Sequence, residues 1–131
     1  MRITRETDYA VRCILYLSEA PDKVAMAGEI AEAMKIPKSF LAKILQKLTK
    51  ADLVTSFRRV KGGVRLAKKP EEISLLDVIE TIEGDVGLNI CAVNERACGR
   101  SKKCSVHPVW VELREAVENI LNRYNFENLR K

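Results

Sequence analysis

The order of three local patterns between residues 27 and 66 leaves few folds open to this chain. A short helix over residues 27–34 is indicated by Ile30, Ala31 and Met34 on one face. The turn KIPK leads into a second helix, in which we predict Pro37 at the first position. The apolar stripe of this second helix consists of Leu41, Ile44, Leu45 and Leu48. Two short helices joined by a turn of three or four residues are typical of a helix-turn-helix motif.

A hairpin is predicted directly after the two helices. Residues 54–58 and 64–66 are rich in β-forming side chains, and the segment between them ends in Gly62 and Gly63. Ser74 and Asp77 then form a capping box for a further helix that ends at Gly84. We therefore predict a mainly α fold with a small β-hairpin wing, in which residues 1–84 form a winged helix-turn-helix domain.

Positive charge is concentrated in the same part of the chain. The net charge is +5, but residues 1–70 carry +8 and residues 71–131 carry −3. Between Lys35 and Lys69 there are eleven basic residues and one acid, Asp52. A basic block within a folded segment indicates a polyanionic partner, most simply double-stranded DNA. A basic face that is merely solvated is the alternative that charge alone leaves open.

The position of each basic residue predicts its role on DNA. The start of the second helix of the motif usually faces base edges, later positions meet phosphates, and a basic wing tip suits the minor groove. The predicted base contacts are Lys38, Ser39 and Lys43, with Lys43 on guanine. The predicted phosphate and wing contacts are Lys47, Lys50, Arg58, Arg59 and Lys61.

A long helix is predicted at the C-terminus, over residues 108–131. Its apolar stripe consists of Trp110, Leu113, Val117, Ile120 and Tyr124. A terminal helix with one such stripe needs a surface to cover it, and a symmetric homodimer supplies one. Packing of the stripe against the chain's own domain is the alternative. We expect a dimerisation helix.

Two further features of the sequence indicate where in the cell the protein is located. The N-terminal stretch MRITRETDYAVRC mixes charges of both signs and lacks the apolar region of a secretory signal. No stretch approaches the roughly 18 apolar residues of a membrane span. We therefore predict a cytoplasmic protein without membrane contact, in which thiols stay reduced.

Three cysteines and the only histidine of the chain fall within residues 91–107, in the predicted loop of residues 85–107. Cys91, Cys98, Cys104 and His107 have the spacing C-x6-C-x5-C-x2-H. A zinc site is possible, although structural zinc sites usually begin with a tighter cysteine pair. A nucleophilic cysteine with His107 as its base is a further possibility. Iron–sulphur clusters take thiolate ligands from looser loops, and the cations at 96, 100, 102 and 103 favour thiolates. The fourth cysteine, Cys13, lies on the apolar stripe of the first helix and is predicted to be a core residue.

Taken together, these segments resemble the IscR/NsrR family of winged-helix regulators. The stretches MRITRETDYAVRCILYL, IPKSFLAKILQKLTKADLV, TSFRRVKGGVRLAK and ISLLDVIETIEG occur in the order and spacing of that family. The sequence departs from the family at the wing, where Arg59 replaces a glycine and Val64 a tyrosine, and in its six-residue first cysteine gap, which is commonly five.

The resemblance implies a homodimeric bacterial transcription factor, a repressor, with a 2Fe–2S or 4Fe–4S cluster on Cys91, Cys98 and Cys104. The fourth ligand implied by IscR-like members is His107. The fourth ligand implied by NsrR-like members is Asp8 of the partner chain, and this sequence contains both residues. We therefore expect a cluster-sensing regulator that responds to redox state, nitric oxide or iron, not an enzyme with a small-molecule substrate. The alternatives are a zinc site or thiol switch in the same regulator, or a cysteine enzyme or cluster-transfer protein.

Overall fold

The computed structural model describes residues 3–58 and 62–130. Seven α-helices and one antiparallel hairpin make up the regular structure of this part of the chain, together with two single turns of 3-10 helix. The helices are α1 (Arg5–Ser18), α2 (Ala27–Met34), α3 (Lys38–Lys50), α4 (Leu75–Glu83), α5 (Ile90–Val93), α6 (His107–Arg123) and α7 (Phe126–Leu129), and the strands are β1 (Val54–Phe57) and β2 (Gly63–Leu66). The predicted mainly α fold with a hairpin wing is confirmed.

The core of the winged helix forms where α1, α2 and α3 meet. The Thr4 side chain caps α1 by accepting a hydrogen bond from the backbone N–H of Thr7. The apolar stripe of α3 faces inward, and its buried members are Leu41, Ile44 and Leu48. Pro37 caps α3 with an extended backbone instead of occupying its first position, so the helix begins one residue later than predicted.

The wing is attached to the helical core at its base. Val54 pairs with Leu66 and Phe57 with Gly63 across the hairpin. On its other edge, Val64 exchanges two backbone hydrogen bonds of 2.8 Å with Ala25. A Cβ atom on Gly63 would lie 2.2 Å from the Ala25 carbonyl oxygen, so glycine is required by this close backbone approach. The predicted wing-tip contacts Arg59 and Lys61 lie outside the described residues.

The final residues of the chain return to the winged-helix core. The long helix ends at Arg123, not at the predicted end of the chain, because Tyr124 adopts an extended backbone. The carbonyl of Tyr124 accepts a 2.8 Å hydrogen bond from the N–H of Leu75, and Phe126 donates to the carbonyl of Ile73 at 3.1 Å. The Phe126 side chain is fully buried. Residues 124–130 are therefore anchored to the N-terminal domain.

This anchor predicts a large loss of stability for Phe126→Ala. Truncating a fully buried phenylalanine removes its transfer free energy and leaves a cavity, which costs about 3–5 kcal/mol of unfolding free energy. Urea unfolding monitored by circular dichroism measures the change. Tyr124→Ala, two residues away at a side chain that is 44 % exposed, is the control and should cost far less. Equal losses for the two variants would contradict the anchoring role of Phe126.

Candidate nucleic-acid interface and thiol segment

The outward face of α3 is a row of four exposed polar residues. Ser39, Lys43, Gln46 and Lys50 follow one another at spacings of four, three and four residues. The predicted base contact Lys38 is also exposed, at the start of the helix. We call Ser39, Lys43, Gln46 and Lys50 the reading face. Ser39, Lys43 and Lys50 are predicted DNA contacts; Gln46 is not among the predicted contacts, although the sequence places it on the same outward face of the helix.

The reading face is bordered by α1 on one side. Phe40 packs edge-to-face on Tyr9, with ring centroids 5.3 Å apart. About two turns further along α3, the Nζ atom of Lys47 lies 2.7 Å from a carboxylate oxygen of Glu6. Lys47, which we predicted to contact phosphate, therefore already has a carboxylate partner on α1.

The wing borders the reading face on the opposite side. An open groove separates α3 from the hairpin, and the residues from the two elements that line it are Ala42, Leu45, Gln46, Thr49, Lys50, Ser56, Phe57, Arg58, Gly63 and Val64. The guanidinium of Arg65 stacks 5.1 Å from the centroid of the Phe57 ring. Lys50 and the exposed Arg58 thus supply positive charge to both walls of one groove, as a site for a phosphate backbone requires.

A polar cluster links the end of α4 to the beginning of α1. The carboxylate of Glu83, the last residue of α4, accepts hydrogen bonds from the hydroxyl groups of Thr4 and Thr7. Thr7 is completely buried. Glu6 lies in the same first turn of α1 and holds Lys47 of α3. Two sets of side-chain contacts, joined through the first turn of α1, therefore connect the end of α4 with α3.

Two carboxylates of α4 have pKa values shifted in opposite directions. The hydroxyl groups of Thr4 and Thr7 lower the pKa of Glu83, because they donate hydrogen bonds to its ionised form. Partial desolvation, with the negative charges of Glu118 and Asp85, raises the pKa of Glu80, whose side chain is still exposed. Ionised Glu83 therefore stabilises the fold, whereas ionised Glu80 destabilises it.

These opposite shifts predict opposite effects of neutralising the two residues. Glu83→Gln should lower the unfolding free energy at pH 7, and its deficit should disappear as the pH falls through the lowered pKa of Glu83. Glu80→Gln should raise the unfolding free energy at pH 7, and its gain should vanish below the ordinary glutamate pKa, where the wild-type residue is protonated in both states. Thermal unfolding of wild type and both variants between pH 3 and 8 measures these differences. Changes of the same sign at pH 7 would contradict the assignment.

The three cysteines of residues 85–107 differ in their surroundings. Cys91 is buried on α5, whereas Cys98 and Cys104 are partly exposed in the irregular stretch after it. Hydrogen bonds from the hydroxyl and N–H of Ser101 to the carbonyl of Cys98, at 3.1 and 3.2 Å, shape this stretch. No three Cys, His, Asp or Glu side chains in residues 3–58 and 62–130 form a group that could hold a metal ion. The structure therefore places the predicted ligands on one segment without bringing them together.

His107 stands at the junction of this segment and α6. Its backbone N–H donates to the carbonyl of Cys104 at 3.3 Å, and its side-chain Nδ1 is buried without a hydrogen-bond partner among the described residues. An orphaned imidazole nitrogen three residues from Cys104 fits a metal ligand, since such buried atoms normally have a partner. The guanidinium of Arg114 on α6 donates a 2.8 Å hydrogen bond to the carbonyl of Ala92 on α5, which holds the two helices together.

The alternative fourth ligand, Asp8, lies on the exposed surface of α1. Its carboxylate is 2.9 Å from the guanidinium of Arg12, and its side chain is 54 % exposed. Arg12 also donates to the carbonyl of Met34 and lies 5.3 Å from the Tyr9 ring centroid. Asp8 is thus already paired, but it is accessible to a second subunit. The remaining cysteine is a core residue as predicted, since burial raises the pKa of the Cys13 thiol to about 12.

The structure divides the predicted apolar stripe of α6 between two faces. Val117 packs with Leu121 on α4 and Val86, so it covers the chain's own domain and is not available to a partner. Tyr124 lies beyond the end of the helix. Trp110 and Leu113 are half-buried, and Ile120 is 49 % exposed. A regular row at spacings of three and four runs along the uncovered side, formed by Val106, Val109, Leu113, Ala116 and Ile120.

We call this row the seam. A repeat of three and four residues is the pattern by which two helices interlock in a coiled coil. Three members of the seam are absent from the predicted stripe. Val106 precedes the predicted helix, Ala116 is small, and Val109 lies one residue before Trp110, which the prediction chose instead. No helix in the described part of the chain is long and apolar enough to cross a membrane.

Comparisons with known proteins agree with this architecture. Residues 3–131 match the Rrf2 family model, described as an iron-dependent transcriptional regulator. The chain is 35 % identical to Protein aau3 of Rhizobium meliloti over 132 residues, covering 100 % of this chain and 86 % of that protein. It is 31 % identical to the HTH-type transcriptional regulator NsrR of Bacillus subtilis, covering 100 % and 91 %. The solved structure of T. potens IscR superposes with a TM-score of 0.77 at 22 % identity, over 98 % and 85 % of the two chains.

The match to the family model spans nearly the whole chain, and the exposed basic helix and wing are the parts of the fold with which winged-helix proteins bind DNA. The resemblance to IscR and NsrR found in the sequence is thereby confirmed. This chain belongs to the Rrf2 family of winged-helix transcriptional regulators.

Proposed function

We propose that this protein is a cytoplasmic, homodimeric repressor whose affinity for its DNA operator is set by an iron–sulphur cluster. The observation that carries the proposal is the position of the ligand set. Cys91, Cys98, Cys104 and His107 all lie on the segment that joins the end of α4 to the start of α6, and the Nδ1 atom of His107 has no hydrogen-bond partner in the part of the chain that the structure describes. A change in that segment reaches the DNA-binding domain through α4 and the dimer seam through α6.

The residues of this segment fit a cluster by their chemistry. Three thiols supply the soft ligands that iron–sulphur clusters take, and nearby Arg and Lys side chains offset the negative charge of a thiolate site. His107 suits the fourth position better than Asp8, because its Nδ1 has no partner among the residues described, while Asp8 is paired with Arg12. Cluster binding would draw the three thiols together from their separate positions. When bound, the cluster supplies a redox-active centre that responds to oxidants, nitric oxide or iron supply.

Contacts within the chain give such a rearrangement a route to DNA. We call residues 85–107 the thiol segment. Gly84, with φ +84°, separates Glu83 from this segment. A shift of α4 would disturb the hydrogen bonds from Thr4 and Thr7 to Glu83, and with them the turn of α1 that holds Lys47 through Glu6. Lys47 released from Glu6 would be available to a phosphate. The route consists of these two sets of side-chain contacts and the turn of α1 that joins them.

A dimer presents two copies of α3, so it can bind both half-sites of an operator. The two copies of α3 in a dimer bind successive major grooves when they stand about 34 Å apart, which is one turn of B-DNA. The seam lies on the helix that begins at His107, so a rearrangement of the thiol segment acts directly on the geometry of the two domains. A small rotation there would break the match to the operator.

Anaerobic purification, followed by visible absorbance and iron and acid-labile sulphide counts, tests the proposal. We expect a coloured protein with iron and sulphide in equal amounts. A colourless protein with one zinc per chain would instead favour the zinc-site alternative. A colourless, metal-free protein with a reversible disulfide between two of the three thiols would favour a thiol switch. Either result would contradict the cluster.

A further inference from the structure

The reading face contains one residue whose hydrogen-bonding chemistry differs from that of its neighbours. Lys43 and Lys50 can only donate hydrogen bonds, and Ser39 has a single hydroxyl group. Gln46 carries an amide with a carbonyl acceptor and an NH2 donor side by side. We propose that Gln46 is a base-reading residue that selects adenine, one base pair from the site of Lys43. The inference rests on the proposed DNA-binding function.

The side chain of Gln46 is free to make such a contact. It is exposed, and its amide has no hydrogen-bond partner within residues 3–58 and 62–130. Its polar neighbours on α3 are already engaged. The hydroxyl of Thr49 donates to the carbonyl of Leu45 at 2.6 Å, and Lys47 is paired with Glu6 at 2.7 Å. Gln46 is therefore the uncommitted polar side chain between Lys43 and Lys50.

The match to adenine follows from the pattern of the major groove. Adenine presents the N7 acceptor beside the N6 amino donor, and a glutamine amide pairs with both at once. A lysine matches the two acceptors of guanine, O6 and N7. Each amide pair that is correctly matched discriminates against the other bases, whereas a phosphate contact does not.

The spacing of Lys43 and Gln46 along α3 determines how far apart their two base contacts lie. Residues three apart in an α-helix are separated by roughly 4.5 Å along the axis. Successive base pairs are separated by about 3.4 Å. Gln46 therefore falls on the base pair next to that of Lys43 and does not share it. The half-site is expected to contain a guanine and an adenine contact on adjacent base pairs.

Selection of binding sites from random double-stranded DNA, with the full-length dimer under anaerobic conditions, tests the inference. Wild type should select a two-fold symmetric motif with an adenine adjacent to a guanine in each half. Gln46→Ala should lose the preference at the adenine position alone, by roughly 5- to 150-fold, and leave the other positions unchanged. Gln46→Glu should change the preference there towards cytosine, whose N4 amino group donates to a carboxylate.

Thr49→Ala is the matched control, because Thr49 lines the same groove but its hydroxyl is bound to the backbone of its own helix. It should leave the selected motif intact. A motif that is identical for wild type and Gln46→Ala would overturn the inference about Gln46, and so would an equal weakening at every position. Failure of wild type to select any DNA would instead contradict the proposed function itself.

Discussion

Ala116→Glu is expected to convert the dimer into monomers and to weaken operator binding by at least about 100-fold. Ala116 is an exposed member of the seam, so a glutamate there costs the isolated chain little. In a symmetric dimer the same substitution buries two negative charges in an apolar interface, one from each subunit. Operator binding then loses the gain from engaging two half-sites at once, which is of the order of 10²–10⁴. Analytical ultracentrifugation and fluorescence anisotropy measure the two effects.

Asn119→Glu is the matched control for this substitution. Asn119 is also exposed on α6, but it lies outside the seam and away from Val117 and Leu121. The control should remain dimeric, keep its operator affinity and show the same helical circular dichroism as wild type. An Ala116→Glu protein that remains dimeric would contradict the assignment of the seam as the dimer interface and would place that interface on another face of α6.

Cys98→Ala is expected to abolish cluster binding without unfolding the protein. Cys98 is partly exposed and lies outside the apolar core, so its replacement removes a ligand and few packing contacts. Iron and sulphide should fall to background levels after anaerobic purification, and the visible absorbance should disappear. The melting temperature of the metal-free protein should match that of metal-free wild type within about a degree.

Cys13→Ala is the control thiol. Cys13 is fully buried in the apolar core of α1, outside the segment that contains the other three cysteines, so it is not placed to act as a ligand. We expect this variant to lose some stability because a small cavity forms, yet to retain its iron. Full iron content in Cys98→Ala, or loss of iron in a folded Cys13→Ala protein, would contradict the assignment of the ligands.

Much of the winged helix follows from short-range signals in the sequence. Thr4 caps α1, and Ser74 with Asp77 forms a capping box at the start of α4, because each motif depends on residues three apart in sequence. Gly84 ends α4 for the same local reason. The apolar stripe of α3 was predictable because a helix buries one face in any globular domain.

The errors occur where contacts distant in sequence determine the structure. No local signal at Tyr124 indicates that its carbonyl binds Leu75 and stops α6, since the two residues are 49 apart. The Glu6–Lys47 pair likewise joins residues 41 apart. At Val117, helical periodicity identifies an apolar position but not which of two surfaces covers it, and the structure shows that α4 does.

The central claim is that the state of a cluster on the thiol segment sets operator affinity. One sample of anaerobic, cluster-loaded wild type can be titrated with the DNA motif it selects, then titrated again after exposure to nitric oxide or oxygen. We predict that its affinity changes at least about tenfold when the cluster is lost, which corresponds to about 1.4 kcal/mol, and that Cys98→Ala shows one unchanging affinity. A wild-type protein that loses its cluster while its operator affinity stays the same would contradict the claim.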